Sequence, residues 1–177
     1  MPNHLHYGDN LTVLRESIAS ESVDLIYLDP PFNSNAGYNV LFKAPDGSGS
    51  AAQIEAFDDT WHWNDSAESA FADVLRSGNG AAAEMLRAMR GFLGENDMMA
   101  YLAMMAARLI ELHRVLKPTG SLYLHCDPTA SHYLKILLDA VRVCPNSWLR
   151  TTHRFLACSR KSHNFNHFEV PGNLACQ

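Results

Sequence analysis

Between residues 97 and 116, Met98, Leu102, Met105, Leu109, Leu112 and Leu116 recur at spacings of three and four. That spacing predicts a long helix with one apolar face, and Asp97 stands where an N-cap belongs. Shorter stretches with the same period predict helices over 67–76 and 81–92, divided by the turn-forming "SGNG". Another begins at Asp127-Pro128, a cap followed by a first-turn proline, and carries Leu134, Leu137, Leu138 and Val141 on its apolar stripe. Leu11, Leu14 and Ile18 mark an early helix that Asp9 or Asn10 can cap. Residues 23–28 form a continuous apolar run broken only by Asp24, as expected of a strand covered on both faces. "SLYLHCD" at 121–127 reads as a second buried strand after the helix-breaking "KPTG", and "HLHY" at 4–7 as a short first one. Residues 33–53, rich in Gly, Ser, Asn and Pro, predict a long loop. Strands alternating with long helices place the chain in the α/β class, with a largely parallel sheet.

After residue 141 neither a period of two nor one of 3.6 persists, and the composition changes with it. Residues 1–141 hold nine Lys and Arg against eighteen Asp and Glu, a net −9, whereas 142–177 hold five against one, a net +4. Three of the four cysteines, Cys144, Cys158 and Cys176, also fall in the second stretch. This divides the chain into a patterned part, 1–141, and an atypical tail, 142–177. At 177 residues there is room for one domain with a substantial core. The overall charge of −5 argues against a purely electrostatic nucleic-acid binder. The apolar stretch 98–107 is too short to span a bilayer and predicts a buried helix segment. "MPNHLHYGDN" has no basic segment followed by a hydrophobic one, and the four cysteines have no regular spacing, so the expectation is a cytoplasmic protein with reduced thiols.

The chemistry concentrates at "DLIYLDPPFNSN", residues 24–35. Ligands of an open α/β sheet collect beyond the carboxyl ends of its strands, and Asp29, Pro30, Pro31 and Phe32 follow such a strand. Proline lacks a backbone donor and fixes its own φ, so Pro30 and Pro31 hold carbonyl acceptors rigidly. A carboxylate, a preset carbonyl and a ring suit a planar group bearing an NH₂. The lone pair of an aromatic amine is delocalised, and two acceptors on its hydrogens favour the pyramidal nitrogen of a transition state. Phe32 is placed to stack on a base that has left the double helix.

Asp-Pro-Pro-Phe resembles the catalytic motif of S-adenosylmethionine-dependent methyltransferases acting on adenine N6 or cytosine N4 in DNA. With "GDN" at 8–10, "FDDTWHW" and "LKPTGSLYLHCDPTASHYLKILLDAV", residues 4–141 resemble the N-terminal part of site-specific enzymes of the circularly permuted type. The resemblance implies a Rossmann-like fold and methylation of a flipped base in duplex DNA, with adenine N6 favoured. It also implies a bacterial enzyme working within a restriction–modification or phage-type methylation system, in the first case beside a cognate restriction subunit. Asp29 would bind the target amino group and Phe32 stack on the base. Asp9, in the early Gly-Asp, would lie near the cofactor's adenosine, next to Asn10.

The sequence departs from that pattern at its end. Family members carry a Phe-x-Gly-x-Gly segment for the cofactor's methionine part, whereas Gly172 is the single glycine after Gly120. The two Gly-x-Gly matches, at 47–49 and 78–80, lie in a loop and after a helix, not after a strand. With the change of pattern at 142, this leads to the expectation of a truncated or frameshifted copy with an incomplete fold. Rival readings are an inactive remnant and an RNA methyltransferase. Trp61, His62 and Trp63 are read as packing rather than DNA contacts. His125, Cys126 and Asp127 are read as structural, with Asp127 a helix cap. The tail's cysteines and histidines lack the tight pairs of a zinc site, and no metal is expected.

Overall fold

The computed structural model describes residues 3–30, 37–39, 55–58, 61–141, 151–152 and 155–159. The chain runs α1 (Asn10–Ser17), β1 (Val23–Leu28), β2 (Gly37–Asn39), β3 (Glu55–Asp58), α2 (Asp65–Arg76), α3 (Gly80–Leu93) and α4 (Asp97–Val115). It continues through β4 (Leu116–His125), α5 (Pro128–Val141), β5 (Thr151–Thr152) and β6 (Phe155–Ser159). The main sheet has the order β1-β4-β6-β5, and β2 and β3 form a separate antiparallel pair. β1 and β4 run parallel, while β6 pairs antiparallel with both β4 and β5. The mixed helix-and-strand class holds, and among the described residues the expected parallel sheet is represented by one parallel pair, β1 with β4. β5 and β6 fall in the 142–177 stretch; β2 lies inside the 33–53 segment expected as a loop, and β3 follows it.

Helix α4 is the centre of the molecule. Twelve of its 19 residues are buried, distributed around its whole circumference, as happens when helices pack on several sides. It touches α1, α2, α3 and α5. Its cap is Asn96 rather than Asp97: the Asn96 side chain accepts from the Met99 N–H at 2.9 Å. Asp97 sits in the first turn, where its charge suits the helix dipole, and pairs with His62 at 3.0 Å. The other caps follow the same chemistry, Asp9 for α1, Asn64 for α2 and Asn79 for α3.

Burial in the sheet is one-sided. On one face Ile26, Leu122 and Leu124 are buried. On the other, Leu25 and Tyr27 are 59 % and 60 % exposed, so β1 is not covered on both faces as its apolar run suggested. An unbroken run of apolar residues does not reveal how many layers cover a strand. Residues 4–7 form no strand either, and Leu5 and Tyr7 are fully exposed. A strand needs a neighbour to satisfy its backbone groups, and none pairs with this segment among the described residues. "KPTG" follows the end of α4 at Val115, as expected, and itself belongs to β4, which begins before the expected 121, with an irregular register between Val23↔Leu116 and Leu25↔Ser121. A Cβ at Gly120 would lie 2.5 Å from Leu116 Cδ1, so any other residue there would force the buried Leu116 side chain to move.

The entry into β1 is anchored by Arg114 near the end of α4. Its guanidinium donates to the carbonyls of Leu14 (2.6 Å) and Ile18 (3.2 Å) and to Ser20 Oγ (3.0 Å). It thereby satisfies acceptors at the C-terminal end of α1 that the helix itself leaves open. Glu111 holds the same guanidinium at 2.7 Å. Arg114→Ala is expected to lower the unfolding free energy by about 1.5–3 kcal/mol, the scale of hydrogen bonds to a charged group. Urea denaturation checks this, and an unchanged midpoint would remove Arg114 from the account.

Candidate active site

The parallel register that sets Leu28 beside Leu124 brings the carboxyl ends of β1 and β4 side by side. Asp29 leaves β1 there, and His125 is the last residue of β4. His125 Nδ1 and Asp29 Oδ1 are 2.8 Å apart, although 96 residues separate them in sequence. Alternation along the strands puts both on the face that carries Tyr27 and Tyr123, opposite the buried leucines. The Asp29 side chain stays 59 % exposed, so one oxygen is engaged while the carboxylate remains accessible. Pro30, immediately after it, is buried. Pro31 and Phe32 lie outside the described residues.

Asp9 and Asn10 sit at the start of α1. Asp9 Oδ1 accepts from the Leu11 N–H at 2.6 Å, and Oδ2 meets Arg108 Nη2 at 2.8 Å. The same guanidinium donates through Nε to Asn10 Oδ1 at 2.8 Å. Arg108 is well buried and its pKa is lowered, mainly by desolvation and against the pull of Asp9. One cation on α4 therefore fixes the orientation of both polar side chains. The Asp9 side chain, just over half exposed, keeps room to accept further hydrogen bonds from a ligand hydroxyl or amino group.

Around these residues the chain packs conventionally. Asp127 caps α5, its Oδ1 accepting from the Ala130 N–H at 2.9 Å. Cys126 is buried, and desolvation, assisted by the nearby Asp127, pushes its thiol up to about 11. It remains a protonated, unreactive thiol at neutral pH. Trp61 packs toward Tyr101 with ring centroids 6.4 Å apart. Trp63 meets the Phe71 ring at 6.2 Å, and Arg90 lies 4.6 Å from the Trp63 centroid and 4.7 Å from that of Phe71. The two tryptophans thus join the core edge, as the packing reading held. Among the described residues no three His, Cys, Asp or Glu side chains group to hold a metal ion, and no helix is long and apolar enough to cross a membrane.

In the sequence His125 has only a structural role, because a strand-end histidine gives no sign of its partner, here Asp29, until the strand register is known. Residues 23–167 match the N6/N4 methyltransferase family, described as DNA methylase. The chain belongs to this family. The match continues to residue 167, past the change of pattern at 142. The Mod subunit of the type III restriction-modification enzyme StyLTI from Salmonella typhimurium is 27 % identical over 136 residues. That alignment covers 76 % of this chain and 17 % of the relative, so the chain spans about a sixth of that subunit's length.

Proposed function

We propose that this methylase-family chain carries the base-binding part of an enzyme that methylates an exocyclic amino group in duplex DNA, with adenine N6 the favoured target. The observation that carries the reading is the accessible Asp29 carboxylate, held by His125 at the carboxyl ends of two parallel strands and followed by a buried proline. Asp29 accepts one amino hydrogen and the Pro30 carbonyl the other. That pair of acceptors would localise the nitrogen lone pair and stabilise the positive charge that develops on nitrogen as its bond to the methyl carbon forms and the donor's carbon–sulfur bond breaks, after which one amino proton leaves to water. Pro31 stiffens the corner, and Phe32 stacks on the flipped base.

The donor in this reading is S-adenosylmethionine, which supplies a methyl group made electrophilic by its sulfonium. The oriented, half-exposed Asp9 carboxylate fits the hydroxyl or amino groups of an adenosine, with Asn10 beside it. We read residues 1–141 as the catalytic portion of a Rossmann-like fold and, by analogy with the Mod relative, assign the chain to a restriction–modification setting with a nuclease partner.

Calorimetry of S-adenosylmethionine with the full chain tests the donor assignment: binding heat supports it, and its absence overturns it. Labelled methyl transfer to duplex DNA but not to RNA is the expected companion result. Preference for RNA would overturn the substrate assignment.

A further inference from the structure

Asp29 is held by a side chain that neither its motif nor its neighbours in sequence supply. The acceptor in the contact is a carboxylate, so the ring nitrogen facing it carries the hydrogen, and His125 Nδ1–H donates to Asp29 Oδ1 at 2.8 Å. The two partners are unequally placed. His125 ends a strand hydrogen-bonded on both sides, to β1 and to β6, and its side chain is 21 % exposed against 59 % for Asp29. The imidazole is therefore the fixed element and the carboxylate the one it orients. Rotation of an aspartate carboxylate about χ2 is broad and weakly restricted, so a single donor on one oxygen decides where the other points.

We infer that His125 is a positioning residue for methyl transfer: its Nδ1–H holds Asp29 Oδ1 so that Oδ2 is presented to the amino group of the target base. The inference rests on the reading of Asp29 given above and adds to it a residue from a different strand. It also gives β4 a role in the site beyond packing. Without the ring, Asp29 still reaches the amine but spends most of its time misdirected, and an error of this size in placement lowers the rate by about 100-fold.

The test pairs two substitutions with a measurement on the unmodified protein. His125→Leu removes the donor, whereas His125→Asn returns an N–H close to the position of Nδ1. Methyl transfer to duplex DNA should fall by about 100-fold in kcat for His125→Leu, with KM for DNA nearly unchanged, and His125→Asn should recover most of the loss. Thermal midpoints of both variants separate a folding defect from a rate defect. Nitrogen-15 NMR of the wild-type histidines should show His125 as the Nδ1–H tautomer, a preference lost in Asp29→Ala. An Nε2–H tautomer in the wild type overturns the inference even if the leucine variant fails to fold. An active wild type with a leucine variant equally fast, or an asparagine variant as slow as leucine, overturns it while leaving the function of Asp29 intact. A wild type that transfers no methyl group overturns the functional reading, and the inference with it.

Discussion

Replacing Asp29 with alanine is expected to slow methyl transfer to duplex DNA by about 100- to 1,000-fold, the range seen when one preset polar group is removed from a transition-state site. The magnitude follows from the weakness of the nucleophile. An exocyclic amine shares its lone pair with the ring, and in the proposed reading the Asp29 carboxylate is the charged member of the two acceptors that draw it back onto nitrogen. Hydrogen bonds to a charged acceptor are roughly twice as strong as neutral ones, so Asp29→Asn, which keeps an oxygen but loses the charge, should be impaired less than alanine. The fold should tolerate both changes, because the Asp29 side chain is largely exposed and packs into no part of the core. Initial rates with labelled donor check the prediction. An alanine variant as fast as the wild type would remove Asp29 from the chemistry.

The largest effect on stability is expected in α4. Leu109 is fully buried on a helix that touches four others, so truncating it leaves a cavity that several elements would have to close together. Leu109→Ala should cost about 2–5 kcal/mol, a large share of the roughly 5–15 kcal/mol that holds a domain of ordinary size together. Urea denaturation should show a lower midpoint with an unchanged slope, the sign of lost stability rather than a changed unfolded state. The site would suffer indirectly, because Arg108 and Arg114 on the same helix hold the start of α1 and the entry to β1.

Much of this architecture was readable from local pattern. The period of 3.6 located α4 and α5, and the chemistry of Asp127-Pro128 marked where α5 begins, because these signals depend on residues within one turn of each other. The strand before Asp29 was equally plain. What local pattern could not reach was anything set by partners distant in sequence. The expected strand at 4–7 has no paired neighbour among the described residues, and a strand exists only through pairing. "KPTG" does stop α4, but local pattern gave no sign that it also extends β4, because that depends on the backbone of β1 lying alongside, with Val23 opposite Leu116. The apolar run of β1 hid its exposed face, because Leu25 and Tyr27 look the same in sequence whether or not a second layer covers them. Asn96 displaced Asp97 as the cap by a single position, the usual uncertainty at a helix end.

The candidate site divides in the same way. Asp29 and Pro30 could be singled out from residue chemistry alone, and so could Asp9 as a cap. The ring that orients Asp29 could not, since the pairing of His125 depends on the register between two strands separated by three helices. Arg108 was equally hidden, an ordinary charged residue at the end of an apolar stretch until α1 folds back against it.

The central claim is that Asp29 serves transfer of a methyl group to an exocyclic nitrogen of a DNA base. It is tested most directly by incubating the full chain with unmethylated duplex DNA and isotopically labelled S-adenosylmethionine, then digesting the DNA to nucleosides for mass spectrometry. The account predicts labelled N6-methyldeoxyadenosine, which disappears when Asp29 is alanine. Label on a ring carbon, or the same yield from the alanine variant, would contradict it.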